Sequence, residues 1–137
     1  MRNSHAIKRV LCAMKSENFE LLRDKWPELA SLGGFAEAYA HTDPASALAK
    51  LRLFGENLTK DLYRDLKLPK PDQASFLDLL NGDALTASTP PVIMSKLHAL
   101  RMHGNKAAHG DEVKAQTSVW LTAEAFDLAK WLSVRFA

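Results

Sequence analysis

The chain has 137 residues, 47% of them hydrophobic and 25% charged, with a formal net charge of +2. That length and apolar share build one globular domain around a single core and exclude two comfortable ones. So small a charge neither demands nor excludes nucleic acid, and no apolar run approaches the roughly 20 residues of a membrane helix, so the reading is a soluble protein with no membrane partner.

Residues 1–15 carry Arg2, Lys8, Arg9 and Lys15 without an acid. They read as a basic N-terminal arm, because "VLCAM" is too short for the apolar region of a secretory signal. Cys12 is the single cysteine and has no partner for a disulfide or a zinc site, which points to a reducing, cytoplasmic setting. No metal and no cofactor is expected in this domain.

From residue 16 onward helix signals recur and alternating β-branched runs are nearly absent, so the expected fold class is all-α. Ser16 reads as the cap of a helix carrying Phe19, Leu22 and Trp26; Pro27 kinks it or starts a new turn, and Gly33-Gly34 ends it. A short helix around Phe35 to Ala40 comes next. In "DPASALAKLRLFGENLTKDLYRDL" Asp43 is a good N-cap, Pro44 suits the first helical position, and Leu48, Leu51, Leu58, Leu62 and Leu66 form one stripe. This predicts a helix of about six turns. Pro69 and Pro71 break it, Ser75 caps a short helix over "FLDLLNGD", and Asn81-Gly82 stops that one. Pro90 and Pro91 open "VIMSKLHALRMHGNKAAH", with Gly110 at the place of a C-terminal glycine. After the charged turn "GDEVKAQ", Thr122 reads as the cap of a last helix with Phe126, Leu128, Ala129, Leu132 and Phe136 on its core side. Three long helices with short connecting ones predict an antiparallel bundle over residues 16–137. The last helical pattern runs to Ala137 without a stop signal, as expected of the N-terminal part of a longer protein.

At 100° per residue, Ile93, Leu97, Leu100, Gly104, Ala107 and Ala108 share one face of their helix, the expected buried face. Arg101, Asn105 and His109 are four apart and line its flank, and His98 projects between Asn105 and His109. Lys96, His103 and Lys106 point the other way, toward solvent or a partner. Such a flank suits His titration and Arg–phosphate contact, but His, Lys, Asn and Gly are also a usual way to finish a helix. Arg52 and Glu56 border the leucine stripe of the long helix, with Gly55 between them. There a structural ion pair joining the two long helices, Glu56 with Arg52 or Arg101, is expected.

"DPASALAKLRLFGENL", with "KLHALRMHGNKAAHG" some forty residues later, resembles the N-terminal helical domain of unknown function of type I restriction enzyme R subunits and related DEAD/DEAH-box helicases. That domain is similar in turn to the HEPN group of helical bundles, several of which cleave RNA without metal. The resemblance implies a HEPN-like bundle that pairs with a second copy or with other subunits of a restriction complex, with DNA or RNA as a candidate ligand. In the ribonucleases an Arg, usually followed by a polar residue, precedes a His by four to six positions. Asn105 matches the polar residue and His109 the His, while the Arg slot is Gly104 and Arg101 lies one turn earlier. A displacement of about 5 Å is far outside the tolerance of a site in which Arg steadies a phosphorane and His moves a proton.

The expectation is therefore a non-catalytic accessory domain for assembly, dimerisation or nucleic-acid contact, with Arg101, Asn105, His109, His98, Lys106, Arg52 and Glu56 as its binding candidates. The alternatives are a metal-independent ribonuclease using His109, Asn105 and Arg101, and a purely structural dimerisation module. No GxxxxGK[ST] loop and no nuclease carboxylate cluster occurs, so motor and nuclease motifs are expected beyond Ala137.

Overall fold

The computed structural model describes residues 16–137; the basic arm, with Cys12, lies outside the described residues. Among the described residues a single 3-10 turn (Glu20–Leu22) precedes six helices: α1 (Pro27–Tyr39), α2 (Pro44–Asp65), α3 (Phe76–Leu80), α4 (Asp83–Ser88), α5 (Pro91–Ala108) and α6 (Ala115–Arg135). The fold is an all-α helical bundle.

The central helix, α2, packs against α1, α5 and α6. Asp43 caps it by accepting from the Ser46 backbone N–H at 3.2 Å, and Pro44 fills the first turn, where a missing N–H costs nothing. Its Leu48, Leu51, Leu58 and Leu62 are buried, as the stripe requires, and Leu66 is partly buried. α5 runs antiparallel to both α2 and α6, and α1 runs antiparallel to α6, as the cross-contacts show. Arg52 meets Gly104 while Gly55 meets Leu100, and Lys96, early in α5, meets Asp127, late in α6. Lys25, just before α1, donates to the Phe136 carbonyl, while Ser118, early in α6, donates to the Ala40 carbonyl after α1.

Three expectations need correction, and one helix is added to those expected. Ser16 Oγ accepts from the Phe19 N–H at 2.8 Å, yet the segment it introduces is one 3-10 turn and not a helix through Trp26. Gly33-Gly34 do not end a helix; they lie buried inside α1, which joins the two pieces expected there. A Cβ on Gly33 would sit 2.4 Å from the Phe19 ring, so the glycine makes room for an aromatic and does not stop the chain. Asn81-Gly82 separates α3 from α4, a helix the spacing does not predict, and Gly82 has no space for a Cβ beside the Tyr63 hydroxyl, which donates to the Leu79 carbonyl at 2.6 Å. The last helix starts at Ala115, and Thr122 lies inside it, donating back to the Ser118 carbonyl at 2.7 Å. A threonine that bonds one turn back has the same sequence appearance as a cap.

Ends that depend on local chemistry fall where expected. Ser75 and Asp78 form a reciprocal capping box at α3. Gly110, at φ 80°, closes α5: its N–H donates to Ala107 and that of Asp111 to Lys106. No helix among the described residues is long and apolar enough to cross a membrane.

Candidate functional site

The "RMHGNKAAHG" stretch fills the last turns of α5. Ile93, Leu97, Leu100 and Gly104 are buried on the face expected, whereas Ala107 is only partly buried and Ala108 is exposed, because the face turns out of the core before the helix ends. Two glycines set the crossing of α2 and α5. A Cβ on Gly55 would lie 3.1 Å from Phe76 and 3.3 Å from Leu100, and one on Gly104 would lie 2.5 Å from the Arg52 Cβ and 3.0 Å from its Cγ. The stem of Arg52 therefore occupies the place a side chain at 104 would need.

From there the Arg52 guanidinium divides its bonds between the two helices. Its Nε donates to Asn105 Oδ1 at 2.8 Å, and its NH1 lies 3.4 Å from Glu56 Oε2. The Phe76 ring sits 5.8 Å below it. Glu56 is also held by Lys60 at 3.5 Å. The expected ion pair across the helices is thus corrected: Glu56 pairs within α2, Arg101 takes no part, and the cross-link is a charge-assisted hydrogen bond to an amide.

Arg101 and His98 occupy the same flank. Arg101 makes no hydrogen bond or ion pair among the described residues, and its Nε is shut off from solvent without an acceptor. His98 is half-buried, and burial, helped by the charge of Arg101, lowers its pKa from the ordinary imidazole value, which keeps the ring neutral at pH 7. His109 is the exposed C-cap of α5; its N–H donates to the Asn105 carbonyl at 3.0 Å, and among the described residues no acid or base touches its ring. Lys106 is exposed and makes no ion pair among the described residues. Of the seven binding candidates, the fold directly joins Arg52, Glu56 and Asn105, and leaves His109 and Lys106 apart from them.

Lys96 and His103, expected to point toward solvent or a partner, pack instead against α6 of the same chain. Lys96 is clasped by Glu124 and by Asp127 at 3.2 Å, and the His103 ring stands edge-on to Trp120 at 5.5 Å, so both face α6. Their partners lie far along the chain, and nothing local announces them. Nor does any local pattern announce a cleft of about 290 Å³ between Trp26, Pro27, Asn57, Lys60, Asp61 and Arg64. Burial pushes the Asp61 carboxyl up to about 6; Arg64, 3.0 Å away, opposes this and Asp65 and Glu28 add to it. Among the described residues no group of three or more His, Cys, Asp or Glu side chains is placed to hold a metal ion.

Over 118 residues, 86% of this chain, the sequence is 30% identical to the Type I restriction enzyme EcoKI endonuclease subunit of Escherichia coli (strain K12). The similarity is to a restriction enzyme subunit. The chain spans 10% of that protein's length. A match of 118 among 137 residues necessarily spans positions 20–118, so it takes in Arg52, Glu56 and the whole 101–110 stretch. No protein-family model matches the chain, and no solved structure matches it.

Proposed function

We propose that the chain is a non-catalytic, HEPN-like accessory domain of a type I restriction endonuclease subunit or a related helicase, cytoplasmic, with no cofactor of its own. It works in assembly, against a second copy or other subunits, and the 101–110 stretch holds its two long helices together. One observation carries this reading: Arg52, from α2, fills the space beside Gly104 and claims the amide oxygen of Asn105. The amide oxygen of Asn105, which a nuclease site would use to orient substrate, is here engaged in joining helices. The similarity to a restriction endonuclease subunit supports the setting.

Metal-independent RNA cleavage by His109, Asn105 and Arg101 is the rival. It asks for a base within hydrogen-bond reach of a proton and an arginine facing the same phosphorus. His109 instead stands exposed at the helix end, and the described residues offer its ring no partner. Incubating the purified chain with labelled RNA in EDTA tests the choice. No cleavage is expected; cleavage that disappears in His109→Ala would overturn the accessory reading.

A further inference from the structure

Arg101 is the anomaly of the α5 flank. A buried guanidinium N–H without an acceptor is costly, and native folds leave few such groups unpaired. Glu56, the carboxylate of this flank, is already held between Arg52 and Lys60. Arg101 is half-buried, its Nε lacks a partner and access to water, and the rest of its guanidinium reaches the surface without one among the described residues.

Two neutral donors flank it. His98 stands three residues before it and Asn105 four residues after it, the spacings that make neighbours on a helix surface. The imidazole of His98 is close enough to feel the charge of Arg101 and stays neutral, so it has an N–H to give. The amide of Asn105 is oriented by Arg52, which takes its oxygen and leaves the NH₂ free to donate. One uncompensated cation between two neutral donors is the donor set of an oxyanion site.

We infer that Arg101, His98 and Asn105 form a site for a backbone phosphate of nucleic acid, a contact that holds the strand without cleaving it. The inference rests on the accessory reading for its choice of nucleic acid over a free anion. It does not use His109, so it stands apart from the cleavage question.

The probe is a fluorescein-labelled 20-base-pair DNA duplex, titrated with the full 137-residue chain from 50 to 200 mM salt. Arg101→Met keeps the apolar stem and removes the charge; Arg101→Lys keeps the charge and loses the planar fork. The wild-type chain is expected to bind with an affinity that falls steeply with salt. Arg101→Met should weaken binding about 5- to 10-fold at 50 mM and lower the slope of log K against log salt by about 1. Arg101→Lys should keep the slope, and circular dichroism should show both variants folded. Should Arg101→Met unfold, loss of affinity with an unchanged slope in His98→Ala supports the site, and unaltered affinity in that variant refutes it. Failure of the wild-type chain to bind duplex at 50 mM salt, or binding by Arg101→Met with wild-type affinity and slope, overturns the inference. Direct binding of millimolar inorganic phosphate, read by calorimetry, with no duplex binding would reveal a free-phosphate site and likewise overturn it. None of these results bears on RNA cleavage in EDTA, so the accessory reading can fail or stand separately.

Discussion

Lys67 sits just past the last turn of α2 with φ 54°, a left-handed conformation in which a Cβ is crowded. Its N–H donates to the Arg64 carbonyl at 3.2 Å and that of Leu68 to Tyr63 at 2.9 Å, the bonds that usually place glycine at this position. Lys67→Gly is expected to stabilise the fold by about 0.5–1 kcal/mol, read as a higher urea midpoint at unchanged slope. Gly104 is the opposite case. Its substitution by alanine improves helix propensity by about 1 kcal/mol but drives a methyl against the Cβ of Arg52, an atom too near the backbone to move aside. Overpacking should win, with a net loss of about 1–2 kcal/mol in the same measurement. The sequence alone places Gly104 on the packed side of its helix, since position follows from a 3.6-residue period. That the neighbour is the stem of Arg52 depends on how two helices slide past each other, which no local pattern encodes.

Between elements, legibility follows the range of the interaction that fixes each boundary. The start of α2 at Asp43-Pro44, the Ser75 cap of α3 and the end of α5 at Gly110 are decided by residues within one turn, and all three are readable. The course of α1 through Gly33-Gly34 is decided by Phe19, fourteen residues away, and the start of α6 at Ala115 has no capping side chain at all. Gly33 therefore reads locally as a stop and acts in the fold as a socket. Gly33→Ala should cost about 1–3 kcal/mol, because the Phe19 ring is fully buried and has nowhere to turn. A thermal melt unchanged by that substitution would contradict the packing described for α1. The same rule explains the flank of α5. Helical periodicity puts Arg101, Asn105 and His98 on one side of α5, but sends Lys96 toward solvent or a partner because Glu124 and Asp127 lie on another helix.

Across the whole molecule, Asp61 sets a pH dependence that no sequence pattern announces. Its carboxyl is pushed up to about 6, from an ordinary 3.8, chiefly by burial, so the neutral form is the one the fold prefers. The stability this contributes is fully present below about pH 4 and is lost as pH rises through about 6. A shift of this size would represent about 3 kcal/mol if fully expressed, and solvent screening near Arg64 reduces it to about 1–2 kcal/mol. Asp61→Asn should therefore exceed the wild type in urea resistance at pH 8 and match it at pH 4. Equal midpoints at both pH values would remove Asp61 as the cause.

Arg52 and Asn105 join α2 to α5, and on that link the reading of the whole 101–110 stretch depends. A double-mutant cycle of Arg52→Ala and Asn105→Ala, measured by urea unfolding at pH 7, tests this most directly. A coupling of about 1–2 kcal/mol is expected, the range of a hydrogen bond to a charged group. Additive losses, with a coupling indistinguishable from zero, would mean that the two side chains do not hold the helices together, and would overturn the structural role given to the 101–110 stretch.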